Sequence, residues 1–219
     1  MARLVFEKTG RSVWISHLDL MRLFQRAFKR AGLALKHTQG YNPRPTVSIA
    51  LPLSVGVESV CELLDFELDG ALPAMEDIKD RLNAALVEGV TVTSVYHDGK
   101  KIRDLALLKC AITLEYDRGA GEDAVNAIRS LFNRETLTVT KKSKNGPVEQ
   151  DIIPMIRQLD VQQVSPTEVC VTALICCQNP SLNPTQIVAA IEKYLPEHAP
   201  DHAVCRRLEI YDGEEKIFR

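Results

Sequence analysis

Apolar residues recur at steps of three and four between positions 16 and 31, which is the spacing of one face of an amphipathic helix. Ser16 can cap this helix, with Asp19 in the place of the usual glutamate of a capping box, and Gly32 can end it. The predicted buried face consists of residues about one turn apart: Leu20, Phe24, Ala27, Phe28 and Ala31. The pattern therefore predicts a capped helix that packs by this face.

Along the whole chain the pattern predicts the order β-α-β-β-α-β, followed by the same order once more. In the first half the predicted strands are 2–7, 47–51, 62–68 and 90–96, and the predicted helices are 16–31 and 73–87. In the second half the predicted strands are 107–116, 136–140, 169–177 and 204–211, and the predicted helices are 123–132 and 183–195. We therefore predict an α+β protein with two ferredoxin-like units packed side by side.

The predicted N-terminal unit covers residues 1–100. It includes the helix at 16–31, the polar loop that follows it, and the apolar strands on which the helix would pack. The residues predicted to form its core are Phe24, Phe28, Leu64 and Phe66.

The predicted C-terminal unit covers residues 101–219 and carries a basic hairpin insertion at 141–166, between its second and third strands. Three lysines precede Asn145-Gly146, a strong signal for a hairpin turn; they are Lys141, Lys142 and Lys144. They either protect an edge strand from pairing or form a basic arm that follows a nucleic-acid backbone.

The exposed side of the first helix carries four cations one or two turns apart, Arg22, Arg26, Lys29 and Arg30. We call these four residues the basic stripe. Such a row either binds a polyanion or is simply a solvated helix face. The loop that follows the helix favours the first interpretation.

That loop contains the run Gly-Tyr-Asn-Pro-Arg-Pro at 40–45. Gly40 allows a positive φ, and the two prolines favour extended neighbours. The amides of Gly40, Tyr41 and Asn42 have no evident strand partner, and polar side chains are added by His37, Gln39, Asn42 and Arg44. Free amides, cations and an aromatic ring suit a phosphate with an attached base. The alternative is a crossover loop with a core-facing tyrosine.

Charge is distributed unevenly along the 219 residues, although the net charge is only −2. Residues 1–50 contain nine Lys or Arg against two Asp or Glu, and residues 51–100 contain three against ten. The near-neutral total therefore does not exclude a polyanionic partner. It suggests one basic face and one acidic edge.

Other features of composition narrow the class of protein. The N-terminus has no apolar segment of signal-peptide length, and no apolar segment is long enough to span a membrane. This predicts a cytoplasmic protein without membrane association. The six cysteines show no metal-ligand spacing and lie mostly in apolar runs, so we predict reduced core thiols. The five histidines form no metal motif, and we predict neither a metal nor a cofactor.

The run from Ser16 to Leu53, with the following Gly56 turn and the KKSKNG…DIIPMI segment, resembles the radical-SAM-linked family of unknown function. The matching positions are Ser16, His17, Asp19, Arg22, Arg26, Gly40, Tyr41, Asn42, Pro43, Pro45, Gly56 and Glu62. Arg44 stands where the family commonly has histidine, and Tyr41 where it commonly has phenylalanine. The resemblance implies a radical-SAM enzyme as partner. This sequence has no CxxxCxxC cluster motif, so it cannot perform radical-SAM chemistry itself.

Three classes of function fit these features. The first is a non-catalytic accessory protein that presents tRNA or rRNA to a radical-SAM enzyme. The second is an endoribonuclease of the CRISPR-associated double-ferredoxin type, with His17 as general base assisted by Tyr41 or Lys142. The third is an adaptor that binds only protein, through the acidic edge at 58–69.

We predict the first class, because it explains the basic stripe and because no nucleophile–base–orienter set is visible. On this hypothesis the chain has no catalytic activity of its own. The residues predicted to contact RNA or another ligand are Ser16, His17, Asp19, Arg22, Arg26, Lys29, Arg30, His37, Gln39, Gly40, Tyr41, Asn42, Arg44, Lys141, Lys142 and Lys144.

Overall fold

A computed structural model of the protein describes residues 1–121, 123–143 and 146–219. Helices and strands are mixed along the chain, in agreement with the predicted combination of α and β elements. The chain divides into two compact units, Met1–Ile102 with Arg219, and Arg103–Phe218. Within the described residues, none of the helices has both the length and the hydropathy needed to cross a membrane.

The first unit consists of strands packed on two helices. In chain order its elements are β1 (Ala2–Lys8), α1 (His17–Arg30), β2 (Val47–Ile49), β3 (Glu58–Phe66), α2 (Met75–Ala85) and β4 (Val90–His97). The strands lie in the order β4-β1-β3-β2, and each neighbouring pair is antiparallel. β2 is shorter than predicted, because Leu51 has a φ of +47° and the chain leaves the extended conformation there.

The core of the first unit lies between α1 and the strands. Phe24 packs edge-on against Phe6 with ring centroids 4.8 Å apart, and Phe28 packs against Phe66 at 5.0 Å. These four rings and Leu64 are fully buried, which confirms the predicted core residues. The spacing of apolar residues along α1 therefore identified the face that the helix buries.

Two cations of the first unit are buried instead of facing solvent. The guanidinium of Arg3 donates to both carboxylate oxygens of Asp65, at 2.6 and 3.0 Å, and to the carbonyl of Lys100 at 2.8 Å. The ammonium of Lys8 donates to the carbonyl of Val13 at 3.0 Å. Neither residue adds to the positive surface that the charge count of residues 1–50 suggested.

The second unit has its own antiparallel sheet and a separate hairpin. In chain order its elements are β5 (Leu105–Glu115), α3 (Ala124–Phe132), β6 (Thr138–Ser143), β7 (Gly146–Asp151), β8 (Ile156–Ser165), β9 (Glu168–Cys176), α4 (Pro184–Tyr194) and β10 (His202–Asp212). Four strands form a sheet in the order β10-β5-β9-β8. β6 and β7 form a two-stranded sheet of their own.

The second strand of this sheet is not the predicted one. The predicted strand at 136–140 corresponds to β6, which pairs with β7, whereas β8 pairs with β9 and lies inside the predicted insertion at 141–166. β8 is an edge strand in which Val161 alone is fully buried, so its apolar signal is weak. The predicted hairpin turn at Asn145 lies outside the described residues.

Helix α4 begins as predicted. The side chain of Asn183 accepts a hydrogen bond from the Thr185 amide at 3.1 Å, and Gln186 Oε1 accepts one from the Asn183 amide at 3.1 Å. The Asn183 side chain also accepts from the Gln186 amide, which completes the capping box, and Pro184 lies in the first turn.

All six cysteines are free thiols in the structure. Burial raises the pKa of Cys110 to about 12 and that of Cys205 to about 11, so both thiols stay protonated at neutral pH. Because the thiolate is the reactive form, these cysteines behave as small core residues.

Candidate functional site

The N-terminus of α1 is fixed by Ser16, Asp19 and Arg22. The Ser16 hydroxyl accepts a hydrogen bond from the Asp19 amide at 3.3 Å and donates one to Asp19 Oδ2 at 2.8 Å. Arg22 donates to Asp19 Oδ1 at 3.0 Å. The predicted N-cap is therefore present, although the carboxylate accepts from the Ser16 hydroxyl and not from its amide. These bonds from Ser16 and then from Arg22 lower the pKa of Asp19.

Replacing Ser16 by alanine is expected to raise the pKa of Asp19 toward its ordinary value, because the hydroxyl stabilises the charged carboxylate. Loss of the cap should also lower the free energy of unfolding by about 0.5–2 kcal/mol. Since the folded pKa lies below the ordinary value, the contribution of Asp19 to stability is present above that value and is lost as the pH falls through the folded pKa. Carboxyl NMR titration measures this shift. An unchanged Asp19 pKa relative to a Ser130→Ala control would contradict it.

The basic stripe contains two kinds of cation. Arg22 is paired with Asp19, and the Arg30 guanidinium donates to the carbonyl of Ala85 at the end of α2. Arg26 and Lys29 are exposed and form no ion pair with a described residue, although the Asp19 carboxylate also interacts with the Arg26 charge at longer range. The stripe therefore offers two uncompensated cations one turn apart.

The polar loop after α1 forms a hairpin over residues 36–46, which we call the 36–46 hairpin. The Thr46 amide donates to the Lys36 carbonyl at 2.7 Å, and the Thr38 amide donates to the Arg44 carbonyl at 2.8 Å. The Arg44 amide also donates to Thr38 Oγ1 at 3.0 Å. These bonds hold the two arms together and leave residues 39–43 as the tip.

The tip of this hairpin presents polar groups and one ring to solvent. Tyr41 is fully exposed, with a relative accessibility of 101%, so its side chain does not face the core. The side chains of Gln39, Asn42 and Arg44 are exposed as well. Among the described residues none accepts a hydrogen bond from the amides of residues 40–42, and Gly40 has the positive φ, +132°, that glycine permits.

A cavity of about 500 Å³ lies between the C-terminal half of α1 and the base of the 36–46 hairpin. Its walls are mainly apolar, with polar side chains from both elements; the residues are Gln25, Lys29, Gly32, Leu33, Ala34, Leu35, His37 and Pro45. His37 and Pro45 face each other across the hairpin. Two residues proposed from sequence, Lys29 and His37, therefore meet at one cavity that the sequence did not reveal.

Of the two pairs that the ribonuclease hypothesis allows, His17 with Tyr41 is not assembled, and His17 with Lys142 lies outside the described side chains. His17 begins α1 and is half-buried, and its Nδ1 is buried without a hydrogen-bond partner among the described residues. Tyr41 is fully exposed and so does not pack on His17. Lys141 is half-buried on β6, whereas the side chain of Lys142 and all of Lys144 lie outside the described part of the chain. The described side chains show no catalytic grouping here.

The acidic edge at 58–69 is largely neutralised within the first unit. Glu67 pairs with Lys36 at 3.1 Å, and Asp65 pairs with Arg3. Glu58 accepts a hydrogen bond from the Gly10 amide at 3.2 Å, and Glu62 is buried. Two carboxylates of this edge are therefore compensated by cations, whereas Asp69 is exposed and no described side chain pairs with it. In the described residues no group of three or more His, Cys, Asp or Glu side chains is placed to hold a metal.

Three exposed apolar side chains near the start of α1 were missed by the sequence analysis. They are Trp14, Leu18 and Val55, and Trp14 is 71% exposed. The Trp14 ring lies over Gly56, where a Cβ would be 3.6 Å from the indole. Large apolar side chains that face solvent together are typical of interaction sites. The sequence carried no signal for this group, because Trp14 and Gly56 are distant along the chain and meet only in the fold.

The model of a bacterial family, described as "Uncharacterized protein conserved in bacteria (DUF2344)", matches residues 2–184. No curated protein matches the chain significantly.

Among solved structures, the chain is similar to one chain of a Cbf5-Nop10-Gar1 complex, with a TM-score of 0.54 and 9% identity over 95% of this chain and 48% of that chain. It therefore spans about half the length of that relative, and the likeness concerns the fold alone. An unknown protein from Galdieria sulphuraria gives a TM-score of 0.27 with 10% identity, over 94% of this chain and 96% of that chain. This score is too low to support an argument.

Proposed function

We propose that this chain, which belongs to the bacterial DUF2344 family, is a non-catalytic cytoplasmic RNA-binding protein that presents tRNA or rRNA to a radical-SAM modification enzyme. One observation carries the RNA-binding part: the uncompensated cations Arg26 and Lys29 lie on the same helix that lines the base of the 36–46 hairpin, whose tip exposes Tyr41 and free amides. Cations neutralise phosphates and release counterions, and an exposed ring offers a stacking surface to a base.

The fold adds a second element to the proposal. In each unit the sheet has the fourth strand beside the first and the third strand between the first and the second. With the two helices, and without β6 and β7, the elements of each unit follow the order β-α-β-β-α-β. We infer that each unit is ferredoxin-like, with β8 as the second strand of the second unit and the β6–β7 hairpin as its insertion. Paired units of this kind supply rigid sheets from which a loop such as the 36–46 hairpin can project.

The enzyme partner follows from the resemblance and from what this chain lacks. Because the sequence has no CxxxCxxC motif, radical chemistry on a bound RNA requires a second protein. Leu18 and Lys29 are eleven positions apart on α1, which corresponds to about 16 Å along the helix axis. The apolar side chains near Leu18 and the cation Lys29 thus lie toward opposite ends of α1, so a protein and an RNA would approach different ends of this helix.

Crosslinking in cells tests both parts of this proposal. Tagged protein should isolate tRNA or rRNA fragments together with a protein that carries a CxxxCxxC motif. The variant Arg26→Gln/Lys29→Gln/Arg44→Gln should lose most of the RNA, because three phosphate contacts are removed. Its control is Lys101→Gln/Arg118→Gln/Arg157→Gln, which removes the same charge from exposed positions on other elements and should keep the RNA.

Three results would contradict the proposal. Recovery of the enzyme without RNA would favour a protein-only adaptor. Cleavage of labelled structured RNA by the purified protein, lost in His17→Ala, would favour a ribonuclease. Equal loss of RNA in both triple variants would mean that binding depends on net charge and not on this site.

A further inference from the structure

The cavity between α1 and the 36–46 hairpin combines apolar walls with polar groups at their edge. Leu33 and Leu35 are buried, and Ala34 between them is exposed and lines the cavity. Pro45 closes the hairpin side. Its volume, about 500 Å³, lies within the range of pockets that hold small ligands.

We propose that this cavity holds one unpaired nucleotide of the bound RNA, with the base between the apolar walls and its phosphate at Lys29. This inference rests on the proposed RNA-binding function and adds a preference for single-stranded segments. A flat base suits walls of leucine, alanine and proline because its faces are apolar. Its edge carries hydrogen-bonding groups, and the Gln25 amide has both a donor and an acceptor for them.

The charges around the cavity fit a nucleotide better than an uncharged ligand. Lys29 is exposed and no described residue pairs with it, so its ammonium is available to a phosphate. His37 stands on the opposite wall, where its ring can stack on a base or a sugar. A strand that leaves the cavity along the hairpin reaches Tyr41 at the tip, which offers another base of the strand a stacking surface.

Base-paired RNA cannot use this cavity, because a paired base stays stacked within its helix. The structure therefore predicts that RNA with an unpaired loop binds more tightly than a blunt duplex of equal length. The difference in affinity between the two RNAs comes from the cavity, because the phosphate contacts of Arg26 are common to both RNAs.

The test compares a hairpin RNA that has an unpaired loop with a blunt duplex of equal charge. Ala34→Phe places a ring in the cavity and should weaken binding of the hairpin RNA about 10-fold, the order of one lost base contact, with no change for the duplex. The control Ala189→Phe adds the same ring to an exposed position of α4 and should change neither. Thermal melts establish that each variant is folded.

Abasic nucleotides, placed one at a time in the RNA loop, identify the base that the cavity holds. At one loop position, removal of the base should weaken binding to the parent protein about 10-fold. For Ala34→Phe, the same abasic RNA should bind as tightly as the intact RNA. Gln25→Met, on a half-exposed helix position, removes the amide without filling the cavity. It should reduce the difference in affinity among the four bases at that position.

Three outcomes would overturn the inference. If the parent binds RNA and both phenylalanine variants bind the loop as the parent does, the cavity is not used, although the proposed RNA-binding function stands. If free nucleoside monophosphates bind as tightly as the loop RNA, the cavity serves a free nucleotide. If the parent binds no RNA at low salt, the proposed function and this inference fail together.

Discussion

Replacing Asp65 by alanine is expected to lower the free energy of unfolding by about 3–5 kcal/mol, because it leaves the guanidinium of Arg3 buried without its carboxylate. The two side chains are only 6% and 13% exposed and make two hydrogen bonds to each other. Arg3 and Asp65 are in register on β1 and β3. Urea unfolding monitored by circular dichroism measures the change.

The matched control is Asp69→Ala, which removes an exposed carboxylate four residues away that no described side chain pairs with. It should change the free energy of unfolding by no more than about 0.5 kcal/mol. The double variant Arg3→Met/Asp65→Leu removes both charges and should recover much of the loss, because an apolar pair of similar size needs no counter-ion. Similar unfolding midpoints for Asp65→Ala and Asp69→Ala would show that the pair is not buried in solution.

Helix α1 could be predicted from sequence because local signals determine it. The cap at Ser16, the apolar spacing and the positive φ of Gly32, +66°, all depend on residues within the helix or next to it. Its buried face then follows from periodicity alone. The same reasoning identified α4, where Asn183 and Gln186 form the capping box.

Strand β8 could not be predicted in the same way, because its place in the sheet is determined by a partner distant in sequence. It pairs with β9 along most of its length but has one fully buried side chain. Val139 in β6 and Leu137 just before it are both buried, so the segment that became β6 gave the stronger local signal. An edge strand with a mostly polar surface resembles a loop until its neighbour is known.

The charge count of residues 1–50 overestimated the basic surface for a related reason. Arg3 and Lys8 are buried, and Lys36, Arg22 and Arg30 already have partners. A charge count cannot distinguish a cation held by the fold from one that is available to a ligand. In the first fifty residues, the described structure leaves four cations exposed and without a partner: Arg11, Arg26, Lys29 and Arg44.

The unusual character of the loop at 36–46 could be recognised from the sequence, but its hairpin geometry could not. Gly40 and the prolines indicated an unusual loop, and the exposure of Tyr41 excludes the alternative of a core-facing tyrosine. The cavity at its base depends on how Leu33 and Leu35 turn inward after α1 while Ala34 faces outward. This arrangement requires the bridge of Leu35 to Leu68, a contact between distant parts of the chain.

The exposed groups of this site should fall into two classes when RNA binding is measured at several salt concentrations. Arg26→Gln and Lys29→Gln should each flatten the dependence of log K on log salt by about 0.7–0.9, because each removes one phosphate contact. Arg22→Gln should flatten it less, since Asp19 already compensates that cation at 3.0 Å. Tyr41→Ala should weaken binding by about 1–3 kcal/mol and leave the slope unchanged, because stacking releases no counterions.

Fluorescence anisotropy with a labelled hairpin RNA gives the affinity and the slope from the same titrations. Tyr41→Phe is the matched control, since it keeps the ring and removes only the hydroxyl, and it should bind as the parent does. Tyr41 makes no packing contact that buries it, so its loss should leave the melting temperature unchanged. A Tyr41→Ala variant that changes the slope as Arg26→Gln does, or that binds as tightly as Tyr41→Phe, would show that the ring does not stack on a base. The contribution of the hairpin tip would then have to come from its free amides and from Arg44.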